Sequence, residues 1–188
     1  MKVIVIVDCQ NDFINGPLGT QEARNILPVM VERLKEYEYE QPLILFTKDT
    51  HYDNYLDTQE GRNLPVPHCI EDTTGWSICK SISSLVDLNP NFLFYSDNDI
   101  VRSRIYKNTF GSIRLAEILN QYEDEFDEVI FMGVCTDICV VSNALLVKAY
   151  CPELKITVDA SCCAGTTPEN HKAALQVMKC CQINVIGE

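Results

Sequence analysis

Residues 3–7 read Val-Ile-Val-Ile-Val, apolar and β-branched at every position. A run this short cannot make a useful helix. A run with no polar alternation needs cover on both sides, so it reads as a buried strand of a parallel sheet. One such strand obliges the rest of the chain to supply neighbouring strands and two covering layers. Five further segments match: 42–47 (PLILFT), 92–95 (FLFY), 128–133 (EVIFMG), 155–158 (KITV) and 183–186 (INVI). Between them lie helical patterns. One is capped by Asn25 and runs to about Tyr37, with Pro28 in its first turn. Others span 112–122, 138–149 and 168–178, the last with Thr167 as cap and Pro168 opening it. Strands alternating with helices predict an α/β fold of three α/β/α layers. Its six-stranded sheet is mostly parallel, Rossmann-like, with helices on both faces. No repeat or linker interrupts the pattern, so one domain is expected over residues 1–188. The irregular stretch at about 49–91 stands out as an active-site loop region, because long loops in compact domains tend to be functional.

Charge narrows the partners. The formal net charge is -12, which repels phosphate backbones and anionic lipid surfaces, so neither nucleic acid nor membrane is an expected partner. The N-terminal apolar run is too short for an export signal and no run spans a bilayer, so a cytoplasmic location is expected. Ten cysteines are then expected to be reduced, and most to serve as small buried hydrophobes. No Cys-x-x-Cys spacing marks a zinc ribbon or redox motif.

Ligand sites in open parallel sheets form beyond the carboxyl ends of the strands. Asp8 follows the first strand, Lys48 and Asp49 the second, and "VCTDICV" the strand ending at Gly133. Cys139 falls in the first turn of the next helix, where unpaired N–H groups favour a thiolate. Taken singly, Cys139 reads equally well as a core cysteine, whereas Asp8 reads better as an N-cap or turn aspartate and Lys107 better as a surface lysine. Asp49 and His51 form an Asp-x-His unit, and His68 follows in the same loop. Two imidazoles with oxygen donors suit zinc, manganese or iron(II). His171, between Asn170 and Lys172, reads as solvent-facing and without function.

Together, "VIVDCQNDF", "TKDTHYDNY", "PVPHCI", "YKNTFGS", "MGVCTDICVVSNA" and "DASCCAGTTPENH" resemble, in this order, the isochorismatase-like cysteine hydrolases, and among them the nicotinamidase/pyrazinamidase branch. The resemblance implies an isochorismatase-like hydrolase fold and a catalytic triad of Asp8, Lys107 and Cys139. It implies an oxyanion hole from the backbone N–H groups of Cys135 and Cys139, with a cis peptide between Val134 and Cys135. It implies one divalent metal ion, zinc in first place with manganese or iron as alternatives, held by Asp49, His51 and His68. Many relatives have a further histidine where this chain has Tyr55, so Glu60 is expected as the fourth ligand. Pro65 replaces an aromatic residue that often faces the substrate ring, leaving Phe13 and Trp76 as substrate-binding aromatics.

The implied activity is hydrolysis of the carboxamide of nicotinamide or pyrazinamide through a Cys139 thioester, a step of NAD salvage, with a small-molecule amide as partner and a homo-oligomer left open. The alternatives are a related amidase for another small carbamoyl or ureido amide, and, from a different class, a non-catalytic metal-binding or thiol redox-sensing protein.

Overall fold

The computed structural model describes residues 1–87 and 104–188. The strands are β1 (Lys2–Val7), β2 (Leu43–Asp49), β3 (Arg104–Lys107), β4 (Glu128–Val134), β5 (Ile156–Ala164) and β6 (Asn184–Ile186). They form one sheet in the order β3-β2-β1-β4-β5-β6, and every pairing is parallel. The helices are α1 (Asn11–Ile14), α2 (Gln21–Tyr37), α3 (Gln59–Asn63), α4 (Lys80–Asp87), α5 (Ile113–Gln121), α6 (Val141–Tyr150) and α7 (Pro168–Cys180).

Alternation along β1 explains the layering. Val3, Val5 and Val7 belong to a core with Leu115 and Leu119 of α5, Val147 of α6 and Met178 of α7. Ile4 and Ile6 belong to a second core with Met30 and Leu34 of α2 and Ile82 of α4. Each such side chain, fully withdrawn from water, contributes about 1.5–3 kcal/mol. This two-sided burial is why the run carries no polar residue. The strand order reverses between β1 and β4, and in such sheets the crevice at that reversal receives ligands.

Gly133 lets the two central strands meet there. Its φ is +126°, and a Cβ at this position would lie 2.1 Å from the carbonyl oxygen of Val7. We expect Gly133→Ala to lose about 2–4 kcal/mol in denaturant unfolding, from left-handed strain and backbone overlap together.

Several sequence expectations shift. The cap of α2 is Thr20, whose hydroxyl accepts from the Ala23 N–H at 3.0 Å. Asn25 instead accepts from the Gln21 side chain at 2.8 Å, so Pro28 stands in the body of the helix. Strand β5 continues past Val158 to Ala164, beyond a register shift opposite Phe131–Gly133. At that irregularity the buried Asp159 accepts from the Ser161 hydroxyl at 2.6 Å and pairs with Arg33 at 2.9 Å. Strand β3 was not foreseen, and the expected strand at 92–95 lies outside the described residues. Ser112 and Thr167 cap α5 and α7, the first unforeseen in that role and the second as expected. Cys9, Cys69, Cys79, Cys139, Cys151, Cys162 and Cys163 are buried, Cys135 is half-buried, and Cys180 and Cys181 are exposed; none forms a disulfide.

Candidate active site

Four strand ends converge at the reversal. Asp8 leaves β1 with φ +47°, a left-handed conformation that aspartate tolerates better than most residues. Its Oδ1 accepts from the Thr47 hydroxyl at 2.7 Å, and its Oδ2 lies 2.7 Å from Lys107 Nζ. Lys107 ends β3, directly opposite Asp49 in the parallel register. The inward-facing positions of this edge strand are Ile105 and Lys107, so the lysine enters the site instead of the solvent. Its Nζ lies 3.3 Å from Asp49 Oδ1 and 3.5 Å from Cys139 Sγ. One ammonium thus touches two carboxylates and a sulfur, and it is only 6% exposed.

The peptide between Val134 and Cys135 is cis. Residues Thr136–Val140 wind as one π-helical turn before α6, with Cys135 as N-cap. The Cys135 carbonyl accepts from the N–H groups of Ile138 at 3.1 Å and Val140 at 3.0 Å. Cys139 is buried at the inner side of this turn.

The electrostatics correct one expectation. A first-turn position predicted a stabilised thiolate. Instead, burial and the nearby Asp8 carboxylate push the Cys139 thiol well above its ordinary pKa, against the opposing charge of Lys107. Burial also raises Asp8, with Lys107 opposing and Asp49 adding to the rise. Burial works against the Lys107 charge, but Asp8, Cys139 and Asp49 outweigh it and keep this ammonium protonated. The resting pair is therefore a thiol facing an unusually basic carboxylate. That combination suits proton transfer on demand.

Beside it lies a second cluster. The ligand atoms of Asp49, His51, Glu60 and His68 all fall within 4.8 Å of one another. His51 Nε2 is 3.0 Å from Asp49 Oδ2 and 3.5 Å from Glu60 Oε1; His68 Nε2 is 3.4 Å and 3.8 Å from the same atoms. The distant His68 arrives because its loop docks on His51, whose N–H donates to the Cys69 carbonyl at 3.0 Å and whose carbonyl accepts from the Glu71 N–H at 2.8 Å. His68 Nδ1 lies 2.8 Å from the Val66 carbonyl. A carbonyl only accepts, so Nδ1 carries a proton, and Nε2 is the nitrogen that would offer its lone pair to a metal ion in the cluster. Burial and Asp49 raise the Glu60 pKa. A cation between the two carboxylates would remove that conflict. Two imidazoles and two carboxylates therefore fit one divalent metal ion. The Tyr55 hydroxyl donates to the Leu64 carbonyl at 2.9 Å, and its ring packs 4.7 Å from that of His51. Tyr55 walls the cluster and Glu60 enters it.

A cavity of about 740 Å³ opens beside the cluster, lined among others by His51, Tyr55, Glu60, Asn108, Phe110 and Ile138. Phe13 and Trp76 are not among its lining residues. Phe13 is buried edge-on to His68, with ring centroids 5.4 Å apart. Trp76 stacks 5.6 Å from Tyr106, lies under Lys48 Nζ and donates its indole N–H to the Thr50 hydroxyl at 2.9 Å. Sequence reasoning also passed over two supports inside a motif it quoted, "VDCQNDF". The buried Gln10 brackets Asp49, accepting from its N–H at 2.7 Å and donating to its carbonyl at 2.8 Å. Asp12 accepts from the Cys69 N–H at 2.8 Å, which fixes the segment carrying His68. Their signal was the polarity of residues that directly follow a buried strand.

This geometry has relatives. The chain is 26% identical to a nicotinamidase of Schizosaccharomyces pombe over 98% of its own length and 92% of the relative's. A solved nicotinamidase/pyrazinamidase from Bacillus subtilis superposes with a TM-score of 0.78 at 26% identity, covering 98% of each chain. A pyrazinamidase of Pyrococcus horikoshii, solved in complex with zinc, has the same fold, with a TM-score of 0.73 at 22% identity over 100% of this chain and 99% of that one. A family model described as the isochorismatase domain matches residues 2–187. With the sheet order, the buried cysteine turn and the paired strand-end carboxylates already in place, that near-complete match means the chain belongs to the isochorismatase family.

Proposed function

We propose that this protein is an amidase that hydrolyses the carboxamide of nicotinamide, or of the related pyrazinamide, to the acid and ammonia. The observation that carries this reading is the position of Lys107 Nζ, 2.7 Å from Asp8 and 3.5 Å from Cys139 Sγ. It makes one buried unit of a base, a cation and a thiol. The names of the S. pombe and B. subtilis relatives supply the substrate class.

In this reading Asp8 takes the Cys139 proton while Lys107 keeps the new thiolate and the site's charge in balance. The sulfur bonds to the carboxamide carbon, and the carbonyl electron pair moves to oxygen. The backbone N–H groups of Cys135 and Cys139 receive that oxyanion, each donor worth about 2.7–4 kcal/mol. Asp8 then passes the proton to the departing nitrogen, and the C–N bond breaks to release ammonia. A water, deprotonated by Asp8, attacks the thioester carbon; the acid leaves and the returned proton restores the thiol. Asp49, His51, Glu60 and His68 would hold the divalent ion, in first place zinc, which accepts both nitrogen and carboxylate donors. When bound, the ion supplies a Lewis-acidic anchor for a ring nitrogen, so its contribution is orientation. Phe13 closes the apolar wall behind His68. The net charge of -12 agrees with a neutral small-molecule partner. Among the described residues no helix is long and apolar enough to cross a membrane.

The test is ammonia release from nicotinamide and pyrazinamide before and after complete chelation. We expect turnover to fall about 100-fold or more on metal removal, through loss of substrate orientation, and to return on adding a divalent ion. Full activity in protein shown by elemental analysis to be metal-free would remove the ion from the mechanism. No ammonia from either amide, with the metal bound, would send the search to other small carbamoyl substrates.

A further inference from the structure

The cysteine turn is held from behind by a segment that touches neither the thiol nor the metal cluster. Thr136, fully buried, places its hydroxyl 2.8 Å from His171 Nδ1 on the first turns of α7. The next residue, Asp137, turns its carboxylate outward to the loop between β5 and α7. There Oδ1 accepts from the Thr166 N–H at 2.8 Å, and Oδ2 accepts from the Thr166 hydroxyl at 2.5 Å. Gly165 is where the two strips meet. A Cβ on it would lie 2.9 Å from His171 Cβ and 3.0 Å from Asp137 Oδ1. His171 is thus half-buried and partnered, not the idle surface residue that its sequence neighbours imply.

These contacts fall on the two residues immediately after Cys135, within the turn that separates its N–H from that of Cys139. A π-helical turn has a looser hydrogen-bond pattern than an α-helix, and such turns recur at functional sites. An oxyanion hole needs donors fixed before charge develops. We infer that His171 and Asp137 are positioning residues, a latch that fixes the Thr136–Val140 turn so that both backbone donors point at one place. The inference rests on the reading of Cys135 and Cys139 as oxyanion donors. It adds residues that touch neither substrate nor reacting atoms.

The test uses the metal-loaded 188-residue chain with His171→Ala and His171→Asn. Asparagine keeps a hydrogen-bonding atom near the place of Nδ1. We expect His171→Ala to lower kcat about 10-fold or more, short of the roughly 10²–10³ lost with a whole oxyanion donor, with KM for nicotinamide nearly unchanged. His171→Asn should recover kcat to within about threefold of wild type. A second readout is inhibition by pyridine-3-carboxaldehyde. Its carbonyl carbon bonds to the Cys139 sulfur as the C=O π bond opens, and the thiol proton passes to the new oxygen. Inhibition should weaken in step with kcat in His171→Ala, while binding of pyridine, which has no carbonyl, stays the same.

Unchanged kcat in His171→Ala overturns the latch. So does a parallel loss of kcat, pyridine binding and melting temperature without rescue by asparagine, which would make His171 a general stability residue. Wild-type turnover in Cys139→Ala would instead refute the thioester reading from which the oxyanion, and with it the latch, is argued, so the two failures are distinguishable.

Discussion

Cys139→Ala should release ammonia from nicotinamide at least about 10⁴-fold more slowly than wild type, while Cys135→Ala stays within a few-fold. The two cysteines are four apart in sequence and sit in one turn, yet they are asked for different things. The Cys139 sulfur contacts Lys107 Nζ at 3.5 Å and is the only atom in this arrangement proposed to bond to the substrate. An alanine keeps the backbone donor and the fold but has nothing to attack with. Cys135 is used through its N–H alone, and alanine carries the same N–H. Steady-state ammonia release on both variants, with circular dichroism to confirm folding, decides the matter. An inactive, folded Cys135→Ala would transfer the chemistry to the other sulfur.

Lys107→Met should lose both activity and stability. Methionine fills a similar volume but brings no charge to a point 2.7 Å from Asp8 and 3.3 Å from Asp49. Breaking a buried ion pair from one side typically costs about 3–5 kcal/mol, because the other charge stays buried and unpaired. Here two carboxylates lose the shared partner. We expect an unfolding free energy lower by that amount in urea titration, and turnover lower by about 10³-fold or more, since the thiolate loses its counter-charge. A Lys107→Met protein as stable as wild type would mean that the carboxylates do not depend on the ammonium.

Most of the layout was legible because the chain repeats one physical signal. Short apolar runs read as strands, and five of the six foreseen segments fall on strands of the sheet, four of them inner and one, β6, at an edge. The opposite edge was harder. Strand β3 alternates exposed and buried positions over four residues, too brief a pattern to separate from loop. The start of α2 was misplaced because Asn25 and Thr20 are both good capping residues, and only the fold shows which hydroxyl or amide meets a free N–H. In the site, Asp8, Asp49, His51 and Cys139 were readable as polar or reactive residues near strand ends, whereas Lys107 came only from the resemblance, because the strand that it ends was not foreseen. Glu60 was preferred to Tyr55 only through the resemblance, because what turns Glu60 toward the histidines is a short helix capped by Thr58. The raised thiol pKa escaped for a similar reason. A helix-turn argument counts local dipoles, whereas burial and the facing Asp8 act through space.

The distribution of the ten cysteines has a practical consequence for labelling. Cys180 and Cys181, at the outer end of α7, are the exposed thiols, and the proposed nucleophile is among the buried ones. A bulky maleimide added to native protein will therefore tag the far end of α7 before it reaches the reaction centre. Stoichiometry alone would show two equivalents consumed with no loss of turnover. Peptide mapping, or a variant with both outer cysteines changed to serine, is needed before any alkylation count is read as a titration of active sites.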